Sequence, residues 1–150
     1  MPHIHDKIDF TAEVFIVYKN KVLLRKHDKY DIWLSVGGHI ELDEDPNEAA
    51  IREVKEEVGL DIELVDNRRF KEGDKNSRQL ISPIGLSRHR VSDTHEHVTF
   101  VYFATTSTDK VIPEKPEDVW RWCTKEDIDQ LEDIPVDAVY WARRAIDEVE

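Results

Sequence analysis

Glu44, Arg52, Glu53, Glu56 and Glu57 fall within one short stretch of an acidic chain, residues 38–60. Its pattern is G-x5-E-x7-R-E-U-x-E-E-x-G-U, where U is a bulky aliphatic residue, and every specified position is filled. Asp45-Pro46 predicts a helix start, because Asp is a good N-cap and Pro at the first helical position loses no hydrogen bond. Gly59 predicts its end, since a C-cap favours the left-handed conformation. On a 3.6-residue period Ala50, Ile51, Val54 and Val58 share a face expected to pack on a core. Glu53, Glu56 and Glu57 occupy an arc of roughly 100° beside it, with Arg52 at the flank and Glu44 just upstream. Like charges at these spacings repel by a few tenths of a kcal/mol per pair, and Lys55 points away. A hard divalent cation with oxygen ligands would relieve the cluster, and Mg2+ is the usual one where phosphates complete the shell. A solvated, salt-bridged helix face would explain Glu-Val-Lys-Glu-Glu alone. It does not explain the flanking glycines, the Arg-Glu pair and Glu44 together.

Those residues carry a resemblance. The 38–60 segment resembles a complete Nudix box, the mark of Mg2+-dependent pyrophosphohydrolases acting on nucleoside diphosphates linked to another group. The resemblance implies attack of water on one phosphorus of a phosphoanhydride, with Mn2+ as a substitute for Mg2+. It assigns metal binding to Glu53, Glu56 and Glu57, with help from the backbone at Gly37 and Gly38. Arg52 matches the arginine that orients those carboxylates, Glu44 the upstream glutamate that assists, and Gly38 and Gly59 the positions that shape the loop-helix-loop. In several members of the family the general base lies on a loop before a Trp-containing strand. Here that loop holds Glu117, the first choice, and Glu114, the second, ahead of Trp120-Arg121-Trp122. The alternative of a non-catalytic Nudix-fold module that senses a nucleotide is marked in the family by degenerate boxes, and this box has no degenerate position.

The rest of the chain must position these groups. Residues 10–18 and 22–26 read as a strand hairpin around Lys19-Asn20-Lys21. Residues 33–36 form a short strand into the Gly37-Gly38 bend, with 39–42 extended, and 62–70 is a further strand. Residues 71–90, broken by Gly73, Pro83 and Gly85, read as a long loop. Residues 94–106 alternate clearly as a strand, 110–118 is a loop and 119–123 a strand. Thr124-Lys125-Glu126-Asp127 opens a short helix. Residues 135–149 form a closing helix with Val136, Val139, Ile146 and Val149 inward. The expected architecture is a single α/β domain over 1–150, an α/β/α sandwich with a mixed central sheet.

Outside the box, Arg25 and Lys26 end a strand facing it and are candidate phosphate ligands, against the alternative of a charged strand edge. Arg88 and Arg90 in the long loop are a second candidate clamp. His95 and His97 share one strand face, but zinc needs further ligands that the sequence does not supply at suitable spacing. His3 and His5 read as terminal surface residues. Asp137 is expected to cap the closing helix rather than contact a base, and Trp33, Trp120 and Trp122 to lie in the core.

Composition bounds the rest. A 150-residue chain with 36% charged and 39% hydrophobic residues suits one globular core without staples. The single cysteine, Cys123, excludes an internal disulfide framework and fits a reducing cytoplasm. A net charge of −12 excludes a nucleic acid polymer as partner, for want of a basic stripe. A small phosphorylated nucleotide stays open. No apolar run approaches membrane-spanning length, and the first residues lack the basic and apolar regions of a secretion signal. Homodimers are common in the family, and nothing in this chain decides the matter. The substrate is equally illegible: about fifteen to eighteen residues past the box, ADP-ribose hydrolases carry a proline and dinucleoside polyphosphate hydrolases a tyrosine. Lys75-Asn76-Ser77-Arg78-Gln79 has neither.

Overall fold

The structure, a computed structural model, describes residues 7–27 and 29–149. His3 and His5 lie outside the described residues. The order is β1 (Ile8–Tyr18), β2 (Lys21–Lys26), β3 (Trp33–Leu34), β4 (Val36–His39), α1 (Pro46–Val58), β5 (Ile62–Leu64), β6 (Gly85–Ser92), β7 (His95–Thr106), β8 (Trp120–Cys123), α2 (Lys125–Gln130) and α3 (Val136–Glu148). The sheet is mixed: β1 runs parallel to β7 and antiparallel to β2 and β4. Among the described residues no helix is long and apolar enough to cross a membrane.

Strand β1 changes partner along its length. Thr11 to Val14 pair with β4, whereas Val17 and Tyr18 pair with β2. Strand β7 does the same, pairing first with β6 and then with β5. Alternation sends successive side chains to opposite faces. Ala12, Val14 and Ile16 of β1 join Tyr102 and Ala104 of β7 beneath α1. Phe15, Val17, Val101 and Phe103 pack on the opposite face against α3. Helices therefore cover both faces, as the sandwich reading requires.

That second face is apolar only over half its length. Towards the start of both strands it continues as Asp9, Thr11 and Glu13 on β1, beside His97 and Thr99 on β7. Thr11 and Thr99 meet at 2.8 Å, hydroxyl to hydroxyl. A cavity opens over this polar half.

Helix α1 starts and stops as its sequence dictates. Asp45 and Glu48 form a reciprocal capping box, Pro46 follows, and Gly59 closes the helix at φ 68°. Ala49, Ala50, Val54 and Val58 are buried. Burying valines such as Val54 and Val58 contributes about 1.5–3 kcal/mol each. Ile51, expected on that face, is 46% exposed, because it shares its side of the helix with Lys55, four residues on.

Four further expectations need correcting. The expected loop over 71–90 ends in strand β6, whose side chains are mostly exposed, so the sequence shows no apolar alternation there. The expected strand over 62–70 stops after Leu64, where Asp66 turns back to accept from the Arg68 backbone and guanidinium, a local competitor of strand pairing. In α3, Val136 is 86% exposed, and the inner stripe is Ala138, Ala142, Ala145 and Val149. Small residues let this helix lie close on the sheet, and Val139 and Ile146 pack at its sides. Pro135, not Asp137, is the N-cap.

Candidate active site

The box helix meets the sheet at β4, where two glycines leave the backbone bare. A Cβ on Gly38 would lie 2.5 Å from the Glu53 carboxylate carbon, and one on Gly37 would lie 2.0 Å from the Ala12 carbonyl oxygen. Gly38 thus makes room for Glu53, and Gly37 for the β1–β4 pairing. The Gly37 backbone N–H donates to Glu57 Oε1 at 3.3 Å.

Arg52 gathers the acidic groups. Its Nε and Nη2 donate to the two Glu44 oxygens at 2.9 and 2.6 Å, and Nη1 donates to Glu53 and Glu56 at 3.0 and 3.1 Å. Nη2 also donates to the His39 carbonyl at 3.0 Å. These bonds hold Glu44 below the usual carboxylate range. Glu53 lies above it, raised chiefly by burial and further by Glu56 and Glu44, against the pull of Arg52. Glu56 is the most open of the set, with its side chain 54% exposed.

Glu57 is the buried member. Burial pushes its carboxyl up to about 8, helped by the charges of Glu53 and Glu114 and opposed by Arg25 and the Gly37 N–H. Arg25 Nη1 lies 3.2 Å from Glu57, and Nη2 lies 3.4 Å from Asp118. Arg25 is interior: β2 pairs with β3 and β8 at this residue, so it is no strand edge. Glu57 and Arg25 both face a cavity of about 710 Å³, lined also by Glu13, Gly37, Gly38 and Arg90.

A strand–glycine–helix unit holding three glutamates around one arginine, with Glu57 buried beside them on Arg25, is what the box pattern implies. The NUDIX domain family model matches residues 10–145. The chain belongs to the Nudix hydrolase family. A NUDIX-family hydrolase from Clostridium perfringens superposes with a TM-score of 0.82 at 39% identity, over 95% of this chain and 98% of that one. A MutT NUDIX hydrolase from Burkholderia pseudomallei shares the fold at TM-score 0.67 and 18% identity, over 97% and 100%. Among curated proteins, a dihydroneopterin triphosphate diphosphatase from Haemophilus influenzae is 41% identical over 36% of this chain and 44% of that protein. The matched stretch is thus less than half of that relative's length.

Outside the Nudix box the candidates scatter. Lys26 turns to Asp31 at 3.4 Å and lies over the Trp33 ring. Arg88 is held by Glu96 in two bonds, 2.9 and 2.8 Å, while Arg90 lines the cavity. Glu117 is exposed on its loop. Glu114 comes to Glu57 through its backbone, donating to the Glu57 carbonyl at 3.1 Å. The buried acid of that loop is Asp118, which accepts from Lys115 N and Arg25. Cys123 is buried, its thiol pushed up to about 11.

One cavity acid, Glu13, escaped the sequence reading, and a second, Asp137, was expected as a helix cap. Glu13 accepts a 2.5 Å hydrogen bond from Ser35 Oγ, and burial raises its carboxyl, with Asp137 adding to the shift. Asp137 itself lines the same cavity from the first turn of α3. A charged residue within Phe-Thr-Ala-Glu-Val-Phe was the available signal for Glu13.

Proposed function

We propose that this chain is a divalent-metal-dependent pyrophosphohydrolase, splitting the phosphoanhydride of a nucleoside triphosphate or a related heterocycle triphosphate into a monophosphate and pyrophosphate. The observation that supports it most is Glu57, a buried carboxylate between the box helix and a cavity whose size suits a nucleotide. Glu53, Glu56 and Glu57, with the carbonyl of Gly38, are the residues that would hold the cation. The donor set fits Mg2+ or Mn2+: all oxygen, set over a glycine cradle that a Cβ would fill, with two carboxyls raised by burial and mutual repulsion. When bound there, such an ion supplies charge neutralisation for phosphate oxygens and acidifies water.

The chain's own groups do the rest. The proton that the attacking water loses, as the new P–O bond forms and the bridging P–O bond breaks, goes to a carboxylate outside the ligand set, for which the loop ahead of β8 offers Glu117 and Glu114. Arg52 positions Glu44, Glu53 and Glu56 without facing the cavity itself. Arg25, Lys29 and Arg90 line the cavity as candidate phosphate ligands, and Glu13 and Asp137 as acceptors for ring N–H groups. The triphosphate class is supported by the partial relative that acts on dihydroneopterin triphosphate.

The test is a panel of dihydroneopterin triphosphate, nucleoside di- and triphosphates, nucleotide sugars and dinucleotides, incubated with Mg2+ while pyrophosphate and phosphate release is followed. Turnover that Glu57→Gln abolishes with the fold intact is expected. Tight binding of a nucleotide without turnover of any compound would instead make the protein a sensor.

A further inference from the structure

Away from the box, five chemically related side chains converge at the polar ends of four strands. Asp9 comes from β1, His39 from β4, His89 from β6, and His95 and His97 from β7. The register dictates the meeting: His97 pairs with Asp9 on one side and His89 on the other. His95 and His97 share a face because they are two residues apart on a strand. Glu96 between them points away and is taken up by Arg88.

Among the described residues, Asp9, His95 and His97 are the set of three acidic, imidazole or thiol groups whose donor atoms all lie within 4.8 Å of one another. His95 Nε2 is 2.9 Å from Asp9 Oδ2, and His39 Nε2 is 3.4 Å from the same oxygen. Around a tetrahedral ion bound at about 2.1 Å, donor atoms stand about 3.4 Å apart and imidazole centroids about 5.3 Å apart. Here the His97 ring centroid is 5.0 Å from that of His39 and 5.2 Å from that of His95, both edge to face. Closing the widest donor separation takes side-chain movement on the order of 1 Å.

We propose that Asp9, His95 and His97, with His39 as fourth donor, form a second metal site, for a borderline transition-metal cation of the zinc class. Imidazole nitrogens favour such ions over Mg2+, whereas the all-oxygen glutamate centre has the opposite preference. A plain imidazolium–carboxylate pair would need one histidine for Asp9, and here several rings crowd that single carboxylate. Asp9 and His95 are partly exposed, so an ion has a path in, and the chain's net charge of −12 favours cations generally. His39, His89 and His97 also line the substrate cavity, which places the site in its wall. The spacing argument missed it because only two of the donors are near in sequence; β1 and β4 bring the others.

Co2+ is the probe, titrated into the full chain with Mg2+ saturating, and read by its visible absorption and by calorimetry. Expected is one equivalent of Co2+ with the intense bands of four- or five-coordination, displaced by Zn2+. His97→Ala and Asp9→Asn should each weaken binding at least tenfold, while Glu53→Gln leaves it unchanged. His95→Gln, which keeps a hydrogen-bonding side chain beside Asp9, serves if either variant fails to fold by circular dichroism. A six-coordinate aqueous spectrum in the wild type would overturn the site. So would binding that survives the cluster substitutions and disappears in Glu53→Gln. Neither result bears on hydrolysis, which is read separately through Glu57.

Discussion

Arg25 bridges Glu57 at 3.2 Å and Asp118 at 3.4 Å, so one guanidinium ties the box helix to the loop ahead of β8. Its removal leaves two buried acids facing each other's field. Arg25→Met is expected to cost about 3 kcal/mol at pH 8.5 in the presence of chelator. The loss should shrink at pH 6, where Glu57 escapes by taking a proton. Urea unfolding at the two pH values checks this, and an equal loss at both would contradict the coupling.

The wild-type chain should itself lose stability as pH rises. The Glu57 carboxyl sits at about 8 in the fold against an ordinary 4.5. Between those values the folded state holds a proton that the unfolded chain has released. Stability therefore falls from about pH 4.5 to about pH 8 and levels off above, by up to a few kcal/mol. Unfolding midpoints with chelator present should show this slope in the wild type and a flatter one in Glu57→Gln. Mg2+ should reduce the slope by offsetting the carboxylate charge.

Arg52 acts through the acids it holds. Arg52→Lys keeps a charge but not the planar fork that reaches Glu44, Glu53 and Glu56 at once. A loss of about 10–100-fold in kcat/KM on the best substrate of the panel is expected, with circular dichroism unchanged. Full activity in the lysine variant would remove Arg52 from the site's organisation.

The two neighbouring glycines should fail in different ways. Gly37→Ala drives a methyl group into the Ala12 backbone and should prevent folding, whereas the nearest atoms to a methyl group in Gly38→Ala belong to the Glu53 carboxylate, a side chain that can swing aside. The second variant is expected to be soluble and folded, with Mg2+ affinity reduced. Thermal melts and calorimetry distinguish the two, and equal stability would show the β1–β4 approach to be looser.

Legibility followed locality. The box helix carries its caps, its apolar stripe and its carboxylates within one stretch, so sequence period and spacing sufficed for it. Ile51 misled because an aliphatic residue at the stripe's border still turned to solvent. Val136 misled in the same way, since the tight fit of α3 comes from alanines that look neutral in a sequence. Strand β6 was hidden because most of its side chains are exposed, although it pairs with β7. Arg25, Asp118, Glu13 and the histidine cluster meet only through sheet register, which links residues as far apart as Asp9 and His97. No local pattern announces such meetings.

The most direct measurement is the anomalous density of crystals grown with Mn2+ and a non-hydrolysable triphosphate analogue. A peak beside Glu53, Glu56 and Glu57, in contact with the analogue's phosphates, is expected. Analogue bound in the cavity with no metal peak at those three carboxylates would contradict a metal-dependent hydrolase built on this box.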